Sequence, residues 1–413
     1  MSSQPIPAVA IIANSFTPYR AHLHRRIVRE LKQIQLFSVF THELSAFPWA
    51  ANTEAEIRPI IFGPGERAEA QAQFSHALHE WKKGGRIIRW LKENRIAAVL
   101  LLGYNDPGRL RIWRWCVKHR VPIILWGDSN IHGDWARGVR GFVKRQVLSR
   151  LVRGSDAVMP CGSFGAQYFR KYGAVDRKIF LMPYEPDYQL IAQIDSSQIA
   201  QALERFHLDP QRRRIVYSGR LVPVKRVDLL IDAFVQIAPQ RNEWDLLIIG
   251  DGAQRDFLKQ RIPEQLKQRV KWTGFLDDQQ TVSALYRGSD ALVLPSDYEP
   301  WALVINEAVA AGLAIVSSNV VGAAAELVRD GVNGRVFPAN NLQALTNSLL
   351  DVTAANRINA MKAASPMILQ DWRRVADPVD GLRQALISAG VIRRDPLPSD
   401  SGVSAELSCN HPT

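Results

Sequence analysis

Short apolar runs alternate with amphipathic stretches along most of this chain of 413 residues. The runs have the length of buried strands, and the stretches between them repeat with the period of helices. Such alternation is typical of parallel strands connected by helical crossovers. A polar, weakly patterned segment at 184–211 divides the alternation into two series. The pattern therefore predicts an α/β protein with two parallel-sheet domains.

The first series resolves into short strands and longer helices. Its predicted strands are 8–16, 36–40, 96–102, 122–126, 156–160 and 178–182. Its predicted helices are 20–34, 84–94, 109–119, 136–153 and 164–172. The connecting segment contains one helical stretch, at 197–206.

The second series alternates more regularly than the first. Its predicted strands are 214–218, 244–249, 270–273, 291–294 and 314–317. Its predicted helices are 226–238, 253–261, 280–287, 323–329 and 342–353. A last helical pattern covers 372–388, and the polar segment 395–413 has the composition of a disordered terminus.

Composition places the chain among ordinary globular proteins, with 46% hydrophobic and 22% charged residues. No apolar run approaches the roughly 20 residues of a membrane span, and the N-terminal residues lack the basic region of a secretory signal. The three cysteines are widely spaced and odd in number, which favours neither a disulfide framework nor a metal site. A reducing cytoplasm is the simplest compartment for such a chain.

The formal net charge of +12 favours anionic partners. No nucleic-acid-binding motif is present, which leaves phosphorylated substrates, an anionic membrane surface or a generally basic surface. The stretch 137–153 contains basic residues and no acidic one. Its apolar stripe Val139, Val143, Val147 and Leu151 drifts around a helix, because a repeat of four differs from 3.6 residues per turn. We expect this helix to pack on its own sheet, with membrane contact as the less favoured alternative.

Two carboxylates, Glu299 and Glu307, are eight positions apart in the block at 289–338. Glu299 follows a predicted buried strand, and Glu307 lies about two turns into the next helix. Open parallel sheets bind phosphorylated ligands where a strand ends and a helix begins. Carboxylates accept hydrogen bonds from vicinal hydroxyls, so this pair suits a sugar nucleotide.

The block resembles the retaining glycosyltransferases of family 4, the group 1 glycosyl transferases. The resemblance rests on Glu299-Pro-Trp301-Ala302-Leu303 and on Glu307-Ala-Val-Ala. It implies the GT-B fold, in which two Rossmann-like domains face each other across a cleft. Trp301 replaces the usual Phe and Ala302 replaces the usual Gly. Because Ala is less permissive than Gly, we expect a slightly altered loop around the donor sugar.

Further motifs of the second series resemble the donor site of that family. Gly219-Arg220-Leu221 and Lys225 match its Gly-Arg-Leu…Lys segment, in which the cations neutralise the leaving diphosphate. Cations are unfavourable at a helix N-terminus unless an anion lies between them, which also indicates a bound phosphate. The resemblance adds Gly250 of a glycine-rich turn, and Gly274 and Phe275 of a segment that contacts the nucleobase.

The acceptor side is less clearly marked. Tyr19 and Arg20 follow the first strand and resemble a Pro-Tyr-Arg subgroup, in which Arg20 would meet a phosphate. Asp128 stands where family members often have a His. A carboxylate there can accept the proton of the acceptor hydroxyl or stabilise an oxocarbenium ion. His132 is the alternative for this role, and we favour Asp128.

The resemblance implies a retaining transferase that moves a sugar from a nucleoside diphosphate sugar, UDP- or GDP-linked, to a glycan, glycolipid or lipid-linked acceptor. No metal or further cofactor is expected, and Asp277, Asp278 and Asp297 are interpreted as turn and loop residues. Cell-surface polysaccharide or glycolipid synthesis in the cytoplasm, peripheral to the inner membrane surface, is the expected setting. A sugar-nucleotide epimerase of the same architecture and a non-catalytic membrane-binding protein are the alternatives.

This interpretation divides the chain by domain. We expect an acceptor domain at 1–185, a linker at 186–211 and a donor domain at 212–370. A helix at 371–392 is expected to cross back to the first domain, and a disordered tail to cover 393–413.

Overall fold

The computed structural model describes residues 5–44 and 57–394. Its strands form two six-stranded sheets, and every pairing between neighbouring strands is parallel. The first sheet contains β1 (Ala8–Ala13), β2 (Gln35–Phe40), β3 (Ile60–Ile61), β4 (Ala98–Leu102), β5 (Ile123–Gly127) and β6 (Ala157–Pro160). The second contains β7 (Arg213–Ser218), β8 (Trp244–Ile249), β9 (Val270–Gly274), β10 (Ala291–Leu294), β11 (Ala314–Ser318) and β12 (Gly334–Phe337).

The two sheets share one topology. The first has the order β3-β2-β1-β4-β5-β6, and the second has the equivalent order β9-β8-β7-β10-β11-β12. In each sheet, successive strands are added first on one side of the first strand and then on the other. The switch points therefore lie between β1 and β4 and between β7 and β10. Ligands of open parallel sheets bind at such switch points. The predicted pair of Rossmann-like domains is therefore confirmed, and its geometry indicates two candidate sites.

Helices cover the sheets and connect them. Those of the first half are α1 (Pro18–Glu30), α2 (Ala77–Glu93), α3 (Pro107–His119), α4 (Gly138–Gly154) and α5 (Ser163–Lys171). The connection holds α6 (Tyr188–Gln193) and α7 (Ser196–Arg205). The second half has α8 (Val227–Ile237), α9 (Arg255–Gln260), α10 (Gln279–Arg287), α11 (Leu303–Ala310), α12 (Gly322–Leu327), α13 (Leu342–Val352), α14 (Ile358–Val375) and α15 (Pro378–Ser388).

The central strands are buried from end to end, as expected for sheets covered on both faces. Every residue of β4, β5, β8 and β10 is buried. Their continuous apolar sequence accounts for the accuracy with which these strands were predicted. No helix in the described ranges 5–44 and 57–394 has the length and hydropathy that a membrane crossing requires.

The strand predicted at 178–182 is wrong. This segment runs beside β6, where the Phe180 amide donates to the Val158 carbonyl and the Met182 amide donates to the Pro160 carbonyl. A parallel ladder would also need the amide of residue 160 to donate to Phe180, and proline has no N–H. The contact is consequently reduced to an isolated bridge at Ile179.

The C-terminal helical pattern is also divided differently. Instead of one helix at 372–388, α14 ends at Val375 and α15 begins at Pro378. Ala376 is the C-cap of α14, and Asp377 caps α15, since its carboxylate accepts from the Val379 and Asp380 amides. Helix α14 packs on the second half of the chain, and α15 packs against α1 and β6. The chain therefore passes from contacts with the second half to contacts with the first half at Ala376 and Asp377. The predicted tail at 395–413 lies outside the described residues.

Helix α4 does not bury the stripe that the sequence suggested. Leu148, Leu151 and Val152 are buried, whereas Val139 and Val143 are 80% and 53% exposed. A repeat of four drifts around the helix, so the first two turns of the stripe face away from the sheet on which the last turns pack. The expected packing holds only for the C-terminal half of α4.

Candidate functional site

At the switch point of the second sheet, Lys225 and Glu299 contact each other directly. Lys225 ends a 3-10 turn after β7, and Glu299 lies in the loop between β10 and α11. The Lys225 ammonium forms an ion pair with the Glu299 carboxylate, which also accepts from the Ser296 hydroxyl at 3.3 Å. Glu299 is 7% exposed. The structure thus brings the predicted phosphate-binding cation and the predicted sugar-binding carboxylate into one site.

Glycine turns expose backbone atoms at the base of this site. Gly219 and Gly250 follow β7 and β8 with φ of 152° and 133°. A Cβ on Gly250 would lie 2.0 Å from the Gly219 carbonyl oxygen, so only glycine permits this approach of the two turns. The Gly250 amide donates to the Gly274 carbonyl at 2.9 Å, and Phe275 beyond it is 44% exposed. Three predicted donor-site glycines therefore meet at one edge of the sheet.

The cations around the turn have internal counterions. Lys225 does not open the helix, because α8 begins at Val227 and Arg226 precedes it with a left-handed φ of 51°. Arg226 forms ion pairs with Asp228 and Asp297, and Lys225 with Glu299. The argument that cations at this helix start imply a bound anion is therefore weakened. Arg220 is exposed and remains accessible to a ligand.

Glu307 is the fifth residue of α11, little more than one turn from its start and closer to it than predicted. Its carboxylate accepts from Gln279 Nε2 at 3.0 Å and from the Tyr286 hydroxyl at 3.3 Å. Burial raises the pKa of Glu307 to about 7, and these two hydrogen bonds oppose the shift. The carboxylate is thus held in place by donors and ready to accept from ligand hydroxyls when ionised.

The loop before α11 retains the backbone expected of glycine. Ala302 has φ 78° and ψ 79° at the N-cap of α11, a left-handed conformation that is strained for alanine. Ala302 thus keeps a left-handed backbone at the cost of strain, and an altered loop around the donor sugar stays a prediction. The Trp301 indole is buried and donates to the Tyr184 carbonyl at 2.9 Å, so its backbone is the part available to a donor. Leu303 begins the helix.

At the switch point of the first sheet lies a polar cavity of about 630 Å³, counted with its opening to solvent. It is lined from the ends of β1, β4 and β5, and Arg20, Tyr104, Asp128, Ser129 and Tyr184 are among its residues. Tyr19 packs edge-to-face on Tyr184 at a centroid separation of 5.2 Å. Arg20 and Asp128, both predicted for the acceptor side, thus line one concave site.

Asp128 and His132 differ in their surroundings. The Asp128 side chain is exposed to the deep cavity, and burial within the cleft raises its pKa, opposed by its own backbone amide and by Arg20. His132 does not line the cavity and stacks edge-on against Phe164 at 4.6 Å. Burial lowers the pKa of His132. The geometry favours Asp128 as the group that faces an acceptor.

Asn130 joins the two halves beside both sites, and the sequence analysis did not single it out. Its Nδ2 donates to the carbonyls of Glu299 and Pro300 at 2.8 and 3.2 Å. Its Oδ1 accepts from the amides of His132 and Gly133. The nearest signal in the sequence is its position two residues after Asp128, in a loop that follows a buried strand.

Tyr298 is the second residue that sequence reasoning missed. Burial and the neighbouring carboxylate of Asp128 raise the pKa of Tyr298 to about 12, with a smaller contribution from Glu299. The charges of the acceptor-side and donor-side carboxylates therefore both act on Tyr298. Its ring packs edge-to-face on Trp135 at 5.0 Å.

A separate cluster of possible metal ligands, His42, Glu66 and Glu80, lies in the first half. The Lys83 ammonium is hydrogen-bonded to all three, at 3.1, 2.5 and 2.7 Å. Since this buried cation already lies among the candidate ligand atoms, the cluster is best described as an ion-pair network.

Comparison with known proteins gives consistent matches. The family model "Glycosyl transferases group 1" matches residues 199–364. Glycogen synthase of Mycobacterium tuberculosis is 30% identical over 363 residues, covering 81% of this chain and 83% of that protein. The lipopolysaccharide core biosynthesis mannosyltransferase LpsB of Rhizobium meliloti is 24% identical over 304 residues, covering 70% and 76%.

Among solved structures, Anabaena HepE in complex with UDP and glucose superposes with a TM-score of 0.70 at 18% identity, covering 94% of this chain and all of that one. At this identity the likeness concerns the fold. The extended match to the glycogen synthase shows the family: the chain belongs to the group 1 glycosyl transferases and is a retaining, nucleotide-sugar-dependent glycosyltransferase of GT-B fold.

Proposed function

We propose that the enzyme transfers a sugar from a nucleoside diphosphate sugar to a hydroxyl of a glycan, glycolipid or lipid-linked acceptor in cell-surface polysaccharide or glycolipid synthesis. The role of the Rhizobium meliloti relative in lipopolysaccharide core synthesis supports this setting. UDP in the HepE complex favours a UDP-sugar over a GDP-sugar. The cytoplasm, where nucleotide sugars serve as substrates, is the proposed compartment.

The contact between Lys225 and Glu299 carries the donor assignment. A ligand that replaces this ion pair would place its diphosphate on Lys225 and Arg220, and its sugar hydroxyls on Glu299. Glu307 would accept from the ribose. The backbone of Gly219, with no side chain to shield it, permits close approach of the diphosphate.

Asp128 is proposed as the base on the acceptor side. A carboxyl group with a raised pKa is a better proton acceptor near neutral pH than an ordinary carboxylate. The acceptor oxygen forms its bond to the anomeric carbon as the bond to the diphosphate breaks. The hydroxyl proton passes to Asp128, and the nucleoside diphosphate leaves toward Lys225 and Arg220. Attack from the face of departure retains the anomeric configuration.

We further propose that helix α4 rests on an anionic membrane surface. Val139, Phe142 and Val143 are more than half exposed, and their helical spacing places them on one face of α4. Trp135, just before the helix, is also more than half exposed. Exposed arginines flank them, and no acidic residue occurs between Asp134 and Asp156. Apolar side chains ringed by cations are typical of peripheral contact with anionic lipid. A lipid-linked acceptor would be reached from such a position.

Nucleotide release from a panel of UDP-, GDP-, ADP- and dTDP-sugars tests the transferase proposal. Slow hydrolysis of one donor is expected in the wild type, and its loss in Glu299→Ala. The exposed Glu264, which pairs only with Lys267 among the contacts of the described residues, provides the matched control Glu264→Ala. Recovery of an epimerised donor sugar with no transfer product would support the epimerase instead.

A further inference from the structure

Arg20 is a buried cation without a partner carboxylate. It lies in the first turn of α1 and is 7% exposed. Its Nη1 donates to Asn14 Oδ1 and to the Ser15 carbonyl, both at 2.6 Å, and its Nε has no hydrogen-bond partner. In the described ranges no acidic side chain forms an ion pair with it. Buried charges are ordinarily paired, because desolvation without compensation is costly.

The α1 terminus beside Arg20 is itself poorly satisfied. Thr17, the N-cap residue, makes no capping hydrogen bond, and its buried hydroxyl has no partner. The first turn contains no acidic residue. The amides of a helix N-terminus attract negative charge. An anion at this edge of the cavity would therefore be favoured by both the guanidinium and the helix.

A second arginine lines the same cavity from the opposite side of the switch point. Arg109 lies in the first turn of α3, is 2% exposed and forms an ion pair with Asp106. It also donates to Gln71 at 2.9 Å. Asp106 neutralises Arg109, whereas no carboxylate of the described residues contacts Arg20 directly. Asp128 follows β5 and lines the same cavity without a direct contact to Arg20, whose charge opposes the rise in the pKa of the Asp128 carboxyl group.

We propose that the acceptor carries an anionic group, a carboxylate or a phosphate, which binds at Arg20 and the N-terminus of α1 while its reacting hydroxyl faces Asp128. The inference rests on the proposed function and specifies its acceptor class. A uronic acid and a phosphorylated sugar or lipid headgroup present the same chemistry to a guanidinium. The remaining lining residues, such as Asn105, Ser129 and Tyr104, have the amides and hydroxyls that suit the neutral part of a sugar.

Binding of matched small probes tests the proposal without knowledge of the natural acceptor. Methyl glucuronoside, methyl glucoside and inorganic phosphate are titrated calorimetrically into the protein saturated with the nucleoside diphosphate it binds, so that the donor site is occupied. At least one anionic probe should bind about tenfold more tightly than the glucoside, the gain of a charge-assisted hydrogen bond. Binding of the glucuronoside alone indicates a carboxylate acceptor, and binding of phosphate alone indicates a phosphorylated one.

Substitution of Arg20 decides whether that selectivity comes from this residue. Arg20→Gln should abolish the preference for the anion, Arg20→Lys should retain part of it, and the exposed Arg29→Gln on the same helix should leave it unchanged. Melting temperatures of all three variants confirm that they remain folded. Equal binding of glucuronoside, phosphate and glucoside to the wild type would overturn the proposal.

Nucleotide binding distinguishes a role of Arg20 at the acceptor from a role at the donor phosphate. If Arg20→Gln weakens nucleoside diphosphate binding as much as it weakens the probes, Arg20 belongs to the donor phosphate and the acceptor assignment is wrong. Absence of nucleotide binding and release in the wild type would instead contradict the proposed transferase function, while probe binding would still report on Arg20.

Discussion

The Asn130 side-chain amide donates to the backbone carbonyl of Glu299 at 2.8 Å, across the boundary between the two halves of the molecule. Asn130 is 1% exposed, and its Oδ1 accepts from the amides of His132 and Gly133. One buried side chain therefore fixes both the loop after Asp128 and the loop that carries Glu299. We infer that it is a positioning residue, which aligns the acceptor-side base with the donor sugar.

Asn130→Ala should lower kcat much more than donor affinity. The substitution removes hydrogen bonds worth about 1 kcal/mol each, so a loss of about 10- to 100-fold in kcat is expected if they act on alignment. Donor binding should change little, because Lys225, Arg220 and Glu307 are untouched. Steady-state kinetics and nucleotide titration measure the two effects separately.

The solvent-exposed Asn347→Ala serves as the control for this change. A parallel fall in kcat and nucleotide affinity in Asn130→Ala would indicate general loss of structure, and an unchanged kcat would exclude a positioning role.

Lys225→Ala should reduce turnover by about 100- to 1,000-fold, the usual cost of removing one group that stabilises developing negative charge. The fold should remain, with a modest fall in melting temperature, because Glu299 loses its ion-pair partner. Nucleotide release measures turnover, and circular dichroism checks the fold.

Lys267→Ala is the matched control, since Lys267 is exposed and pairs with Glu264 on the surface. Turnover in Lys225→Ala within about threefold of the wild type, far less than the loss of a charge-stabilising group, would rule out the proposed diphosphate clamp.

The convergence of the proposed donor-side residues could be predicted from the sequence because each of their turns is local. Gly219 and Lys225 lie in one strand-to-helix turn, and Glu299 and Glu307 lie in another. Buried parallel strands place such turns at the same edge of the sheet. The role of Asn130 could not be predicted, because its partner lies 169 positions away. The contact depends on how the two halves meet, and neither local pattern nor composition reports that.

Two errors show where local pattern was insufficient. The apolar segment 178–182 has the composition of a strand, yet its pairing fails at Pro160, a residue of the neighbouring strand. The stripe on α4 was expected to be buried, yet Val139 faces solvent. Strand pairing in the first case and burial in the second depend on the element packed against the segment. Hydrophobic period and hydropathy describe only the segment itself.

Glu307 should make nucleotide binding pH-dependent. Its pKa of about 7 lies above the ordinary 4.5, and ribose hydroxyls donate to the ionised form. The dissociation constant should therefore rise about tenfold between pH 8 and pH 6, as the competent fraction falls. Glu307→Gln should bind weakly, without this dependence. Calorimetric titration at several pH values measures the dissociation constant. A wild-type dissociation constant that does not change with pH would contradict the ribose assignment.

The same carboxyl group should affect the stability of the unliganded protein in the opposite direction. Between pH 4.5 and 7 the folded protein holds a proton on Glu307 that the unfolded chain has released. Its contribution to stability is thus present below pH 4.5 and lost as pH rises through 7. Relative to Glu307→Gln, the wild-type melting temperature should fall across this window. A constant difference would mean that the pKa is not raised.

Ala302→Gly should stabilise the protein by about 0.5–1 kcal/mol, because glycine adopts the left-handed backbone without the strain of a Cβ, while the entropy of the unfolded chain offsets part of the gain. Turnover should not fall, since the loop conformation is retained. Chemical denaturation measures the change. Ala310→Gly at the end of α11 is the control and should destabilise by less than the about 1 kcal/mol that glycine costs inside a helix. Destabilisation by Ala302→Gly would show that its methyl group packs more favourably than its backbone is strained.

Helix α4 should bind vesicles that contain anionic phospholipid and not vesicles of phosphatidylcholine alone. Val139 and Phe142 are 80% and 63% exposed, so their replacement by serine should leave the fold intact and reduce vesicle binding. Each single replacement should weaken vesicle binding by about tenfold or more, because burial of each side chain contributes about 1.5–3 kcal/mol.

Phe257→Ser is the matched control, since Phe257 is 48% exposed on α9, away from the basic stretch. Flotation with vesicles measures binding, and added salt should weaken it by screening the arginines around α4. Equal loss in the Phe257 variant would mean that exposed aromatic residues bind lipid without regard to position. Binding that is insensitive to both salt and Phe142→Ser would place any membrane contact elsewhere on the protein.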